Sequence, residues 1–278
     1  MDESPVHNAP VHIGAQGWNY DDWVGPFYPR GTRGADYLDV YVKAFDTVEI
    51  DSSFYAIPSE QSVKSWRARA PAGFTYSLKL TQEITHQNRL TESGDVLARF
   101  CERARAMGDR LALILIQMPP DFSPRSMGAL GKFLPLLPAD LRFAIEFRDR
   151  GWLGGDTVER VLELLTAHRV ALALTDSKWI PRELMFPLVE RPTADFAYAR
   201  WLGPRELTDY SRIRINRDRE LAEWAEAFRA LRRHVTQAFG YFNNHYAGHS
   251  PASANQFKKL LGLPVVEPET LVAQPSLF

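Results

Sequence analysis

A single (β/α)8 barrel followed by an extended C-terminal tail is the fold the sequence predicts, and three observations predict it. Short apolar or alternating runs of strand length recur along the whole chain. Amphipathic helical patterns fill most of the intervals between them. The 278 residues suit one such barrel, whereas the competing open, doubly wound sheet would carry a glycine fingerprint after its first strand, and none is present.

The runs, in order, are VHIGAQGW (11–18), TVEIDSSFY (47–55), FTYSLKL (74–80), LALILIQMP (111–119), RFAIEFRD (142–149), VALALTD (170–176), DFAYARWLG (195–203) and QAFGYFNN (237–244). Each alternates or is apolar throughout, as a strand covered by helices should be. Leu38, Tyr41, Val42 and Phe45 recur at helical spacing, as do Val158, Val161, Leu162 and Leu165, and then Leu221, Trp224, Ala225 and Phe228. Ser250-Pro251 reads as an N-cap and first helical residue. The stretch from Asp176 to Asp195 has no helical pattern and three prolines, so an irregular excursion is expected there. The barrel domain is assigned to 1–263 and the tail to 264–278, with prolines at 264, 268 and 275.

At 45% hydrophobic and 24% charged residues, the composition is that of an ordinary globular protein. A formal net charge of −1 excludes a surface that is basic throughout, so any polyanion would need a local patch. Cys101 is the only cysteine, which excludes an intrachain disulfide and a cysteine-built metal site. The start MDESPVHNAP is unlike a signal peptide, and no apolar run has membrane-spanning length, so a cytoplasmic protein is expected.

Barrels of this type place their chemistry where strands end and βα loops begin. Polar residues gather at those positions: Glu49 and Asp51, Lys79, Gln117, Glu146 and Arg148, Asp176, Arg200, Asn243 and Asn244. Glu146 and Arg148 are two apart and share a strand face. Lys79, Arg148 and Arg200 can converge on a phosphate or carboxylate. A structural polar plug is the competing account. Glu146 is the first candidate general acid or base, with Glu49, Asp176 and His86 as alternatives. The stretch NNHYAGHSPASANQ offers Gly248 for close backbone approach and then a helix N-terminus, both usable by an anion or as an ordinary cap. Trp18, Tyr20, Trp23, Phe27 and Tyr28 on the loop GWNYDDWVGPFYP could stack on a sugar or base, although such a loop more often packs on a rim, and Tyr55 is a further candidate ligand-binding residue. Arg212, Arg214, Arg217 and Arg219 form a charged loop or a phosphate-backbone contact.

The stretches IGAQGWNYDDWVGPFYP, FDTVEIDSSFYAIPS, FTYSLKLTQEITH, AIEFRDRGW and FGYFNNHYAGHSPASANQF resemble the landmarks of the YecE-like family, domain of unknown function 72. The resemblance implies a TIM barrel and no assigned reaction. Trp201 departs from it, standing where the family commonly has a histidine after the arginine. At fold level the family is similar to the superfamily of endonuclease IV and xylose isomerase, which would make Glu49, Glu146, Asp176 and His86 a hard-cation site. Lys79, Arg148 and Arg200 at the same mouth oppose that, and no cofactor or bound metal is expected.

Three functions remain open. One is a DNA-associated hydrolase or phosphodiester-processing enzyme; another acts on a small phosphorylated or carboxylated metabolite; the last binds a ligand without turning it over. The tail bears on the first. Its QPSLF ending looks like the pentapeptide by which bacterial proteins dock on the DNA sliding clamp, with Gln274 orienting and Leu277 and Phe278 as apolar anchors. The alternative is a tail strapped to the barrel by Phe278.

Overall fold

The computed structural model of the chain describes residues 8–271. Among these residues, nine parallel-paired strands form two sheets. They are β1 (Val11–Ala15), β2 (Thr47–Ile50), β3 (Thr75–Lys79), β4 (Leu111–Gln117), β5 (Phe143–Glu146), β6 (Val170–Leu172), β7 (Leu174–Ser177), β8 (Phe196–Gly203) and β9 (Gln237–Phe242). One sheet has the order β1-β9-β8-β7 and the other β2-β3-β4-β5-β6. The run expected as one sixth strand is therefore two, split at Ala173. Its first half pairs with β5 and its second with β8, and Ala173 N–H donates to Ile145 O at 2.8 Å. At the other seam Gln16 bridges to Glu49, and Gly17 N–H donates to Glu49 O at 2.8 Å.

The helices are α1 (Tyr37–Ala44), α2 (Glu60–Arg69), α3 (Gly94–Arg105), α4 (Met127–Phe133), α5 (Gly155–Ala167), α6 (Asp218–Leu231), α7 (Asn244–Ala247) and α8 (Ser250–Leu260). The long helices α5 and α6 bury most of the stripe their spacing predicts, Val161, Leu162 and Leu165 on α5 and Leu221, Trp224, Ala225 and Phe228 on α6. The start of α8 differs by one residue from expectation: His249 is the N-cap and Ser250 the first helical residue. Asn244 supplies the cap, its Oδ1 accepting from Ser250 N–H at 3.0 Å and Ser250 Oγ–H at 2.8 Å. The 178–194 excursion contains only short turns, as its prolines require.

Strand alternation produces two cores. Outward side chains pack on the helices in one large apolar cluster. Inward ones, including Leu113, Leu115, Ala144, Phe196, Tyr198, Phe239 and Tyr241, form a second cluster drawn from both sheets. Tyr241 hydroxyl meets Thr47 Oγ1 at 2.7 Å and Ser77 Oγ at 2.8 Å, joining β9 of one sheet to β2 and β3 of the other. Residues 264–271 lie against the body. Asn255 Nδ2 donates to Val266 O at 3.3 Å, Lys259 pairs with Glu267 at 2.7 Å, and Leu271 is buried. Gln274, Leu277 and Phe278 lie outside the described residues.

Candidate functional site

Above the inner apolar cluster the inward side chains become charged. Arg200 on β8 follows Tyr198 by two residues, so both face inward, and it is almost fully buried. Its Nη2–H donates to Glu49 Oε1 at 2.6 Å, and its Nη1–H to Glu146 Oε2 at 2.5 Å and Gln117 Oε1 at 3.2 Å. Tyr198 hydroxyl donates to the other oxygen of Glu49. Arg148 lies beyond the end of β5, continuing its alternation, and donates from Nε to Glu146 Oε1 at 2.7 Å and from Nη2 to Gln117 Oε1 at 2.7 Å. The strands β2, β4, β5 and β8, drawn from both sheets, thus contribute to one network of Glu49, Gln117, Glu146, Arg148, Tyr198 and Arg200.

Lys79, from the end of β3, completes the layer. Its ammonium stands 4.0 Å from Asp51 Oδ1 and 3.9 Å from the Phe54 ring centroid. Lys79 and Arg148 are each only 7% exposed. Among the described residues no hydrogen-bond partner stands at Lys79 Nζ or Arg148 Nη1. The Arg148 guanidinium lies 4.0 Å from the centre of the Trp179 ring.

The two glutamates share Arg200 yet titrate differently. Burial pushes Glu49 up to about 7, with repulsion from Asp51 adding to it and Arg200 opposing it. Burial alone would raise Glu146 as well, but the charges and hydrogen bonds of Arg200 and Arg148 hold it at about 2. Glu146, the first candidate acid or base by sequence, is therefore a fixed carboxylate across the neutral range. Burial lowers Lys79 to about 8, against attraction to Asp51. His86 is lowered to about 4 by burial and then by Lys79 and Arg148. It packs edge-on to Phe54 with ring centroids 4.9 Å apart, and its Nδ1 meets Thr85 Oγ1 at 2.8 Å.

Other expected site residues are not brought into this network. Asp176 is in register with the outward Trp201, and its Oδ2 accepts from Trp224 Nε1–H at 2.9 Å and Tyr246 O–H at 3.2 Å. It anchors α6 and α7. Asn244 is committed to Trp23 Nε1–H at 3.2 Å and to the α8 cap. Asn243 caps α7 and donates to Gln16 Oε1 at 2.8 Å, tying β9 to β1. Trp18 packs edge-on against Trp66 and Tyr76, while Trp23, Phe27 and Tyr28 are buried, so the aromatic loop packs on the rim. Tyr55 is 73% exposed and touches Phe54 edge-on. Trp201 stacks on Phe242 at 4.2 Å, facing the helices, so its position offers the charged layer no side chain.

The anion cradle expected at Gly248 is filled by the chain itself. A Cβ there would lie 2.5 Å from Arg212 O, and Arg214 N–H donates to Ala247 O at 2.6 Å. Arg214, Arg217 and Arg219 pair with Asp209, Glu220 and Glu223. Nor do Glu49, Glu146, Asp176 and His86 fit a metal: the first two face guanidinium groups, Asp176 is held by Trp224 and Tyr246 on the helix side, and His86 packs on Phe54 beside the Lys79 ammonium. No cluster of three or more His, Cys, Asp or Glu suited to a metal occurs among the described residues. Gln16, Tyr198 and Trp179 were not among the expected residues. Only Tyr198 had a signal, its spacing of two from Arg200. No described helix is long and apolar enough to cross a membrane.

Relatives share this architecture. The family model described as "Protein of unknown function DUF72" matches residues 12–276. The UPF0759 protein YunF of Bacillus subtilis is 25% identical, the match covering 91% of this chain and 95% of YunF. The UPF0759 protein YecE of Escherichia coli K12 is 29% identical over 138 residues, so in that match the chain spans about half the length of YecE, 48%. A DUF72 family protein from Thermotoga maritima MSB8 is 25% identical with a TM-score of 0.74, covering 91% of this chain and 99% of that one. Another from Enterococcus faecalis V583 is 20% identical with a TM-score of 0.74, covering 93% and 100%. The chain belongs to the DUF72 family.

Proposed function

We propose that this protein binds a small molecule bearing a phosphate or carboxylate at the C-terminal ends of its strands, and that Glu49 is the acid–base group of a reaction there. The carrying observation is the pair of nearly buried cations, Lys79 and Arg148, whose Nζ and Nη1 make no hydrogen bond among the described residues, Lys79 Nζ having only Asp51 at 4.0 Å. Neither atom is among the fully enclosed unpaired ones, so both are open to a ligand, and an anion would accept from both. Counting β6 and β7 as one broken strand, we read the two sheets as a closed (β/α)8 barrel, with seams at Gln16–Glu49 and Ala173, and this site at its mouth.

Glu49, half-protonated near neutral pH, can accept or return a ligand proton. Tyr198 and Arg200 orient its two oxygens, and Glu146 holds both arginines in place. A compact ligand is favoured over a nucleic-acid backbone because Arg214, Arg217 and Arg219 are already paired with carboxylates. The tail carries a separable proposal. Gln274, Leu277 and Phe278 would recruit the protein to the sliding clamp, independently of the mouth.

Titration calorimetry with methylphosphonate tests the site. Wild type should bind it weakly, in the millimolar range usual for so small a ligand. Lys79→Met and Arg148→Met should each lower affinity roughly tenfold or more, the loss of one charge-assisted contact. Wild-type affinity indistinguishable from that of the Lys79→Met/Arg148→Met double variant would refute the reading.

A further inference from the structure

Trp179 is surrounded by three cations. Arg148 Cζ lies 4.0 Å from its ring centre, Lys178 Nζ 5.4 Å and Arg205 Cζ 5.7 Å. They come from three separate segments: the loop after β5, the excursion after β7 and the loop after β8. Lys178 and Arg205 are exposed, and neither has a carboxylate partner among the described residues. Several exposed arginines elsewhere do have one, as with Arg89 to Asp121 at 2.8 Å, Arg105 to Asp140 at 2.7 Å and Arg191 to Glu159 at 2.6 Å. Arg148 is paired with Glu146, which leaves Lys178 and Arg205 as the two like charges here that an anion between them would offset.

The backbone is shaped to keep them there. Arg205 has φ +67, a left-handed conformation that L side chains rarely adopt and that tends to persist where function requires it. Ser177 Oγ accepts from Trp179 N–H at 3.3 Å and Ile180 N–H at 3.4 Å, turning the chain so that the indole lies over Arg148 while Ile180 is buried.

From this arrangement we infer a second anion subsite, formed by Lys178 and Arg205 beside Trp179, so that the ligand class is a small bis-anion: one acidic group on Lys79 and Arg148, a short spacer along the indole, and a second acidic group outside. The inference rests on the mouth proposed above as the site of the first group. A bis-phosphorylated or phosphorylated carboxylic metabolite has this form. A lone phosphate or carboxylate fills only the inner half.

The experiment compares methylphosphonate with alkane-α,ω-bisphosphonates of one to five methylene groups by titration calorimetry at fixed ionic strength. One spacer length should bind roughly tenfold or more tighter than methylphosphonate, since the second contact becomes intramolecular. Lys178→Gln/Arg205→Gln should abolish that gain and leave methylphosphonate affinity within about twofold. Both positions are exposed, so the variant should fold, and an unchanged circular dichroism spectrum checks this. The inference is overturned if no spacer outperforms methylphosphonate, if the gain is the same at every length, or if it survives the double substitution. If methylphosphonate and every bisphosphonate fail to bind wild type, the inner site falls as well.

Discussion

Replacing Arg200 with Met should expose how the charged layer is held together. Methionine keeps most of the length and apolar bulk of arginine but removes its three charge-assisted contacts, to Glu49, Glu146 and Gln117. Removing one partner of a buried ion pair costs about 3–5 kcal/mol, because the other charge stays buried. Glu146 keeps Arg148 at 2.7 Å, so the orphan is mainly Glu49. Glu49 can escape by taking a proton, which makes the cost depend on pH. Its folded value is already raised by burial, so its contribution to stability is fully present below its unfolded value and is lost as pH rises through about 7. Without Arg200 that value rises further, extending the loss to higher pH. The destabilisation should be about 3 kcal/mol at pH 6 and about 1 kcal/mol more at pH 8, since each tenfold change in proton affinity is worth about 1.4 kcal/mol. Urea unfolding followed by tryptophan fluorescence, with a common m-value, measures it. Adding Glu49→Gln should remove most of the extra loss at pH 8. A cost below about 1 kcal/mol at both pH values, or a double variant less stable than the single one at pH 8, would refute the reasoning.

Gly203→Ala should cost more than about 3 kcal/mol in the same assay, because φ is +66 and a Cβ there would overlap the carbonyl of His245; Gly262→Ala, at φ +68 with nothing within 4 Å, should cost only about 1 kcal/mol. Binding of methylphosphonate at pH 7.5 should take up a fraction of a proton, because an anion beside Glu49 raises it further. Calorimetry in buffers of different ionisation enthalpy reads the net uptake, to which Lys79 also contributes, so an uptake unchanged in Glu49→Gln would separate Glu49 from the ligand. A peptide of residues 269–278 should bind purified sliding clamp with micromolar affinity, and deleting Gln274 to Phe278 should leave the melting temperature within about 1 °C. Failure to bind, with a lowered melting temperature, would make the tail a structural strap.

Strand positions were legible because inward and outward residues alternate with period two, and that alternation also placed Glu49, Lys79, Gln117, Glu146 and Arg200 on one layer. What alternation could not show was the break at Ala173. VALALTD is apolar throughout its first five residues, so nothing in it marks where pairing passes from β5 to β8. The same ambiguity misplaced Asp176. It follows Thr175, which is in register with the inward Arg200, so Asp176 faces α6 instead. Gly248 and Asn244 illustrate a different limit: a glycine followed by a helix start serves an anion or the chain's own backbone equally well, and only the position of Arg212 and Arg214 decides. Trp179 had no local signal beyond its neighbour Lys178, because its role depends on Arg148 and Arg205, brought by two distant segments.

The contrast between Glu49 and Glu146 explains why a formally balanced cluster can still favour an anion. Three cations, Lys79, Arg148 and Arg200, face three carboxylates, Asp51, Glu49 and Glu146. Glu146 stays ionised because two guanidinium groups chelate it. Glu49 has only one, shares it with Asp51 at 3.7 Å, and is buried beside a tyrosine that donates to it in either case. Near neutral pH it is therefore partly protonated, and the layer carries a fractional excess of positive charge in a poorly solvated place. Water relieves such an excess only where it can reach, and Lys79 and Arg148 are the cations nearest the opening, with Asp51 the most exposed carboxylate of the layer. A bound anion would neutralise the excess directly and draw Glu49 towards its protonated form, coupling ligand capture to the proton that an acid–base reaction then needs.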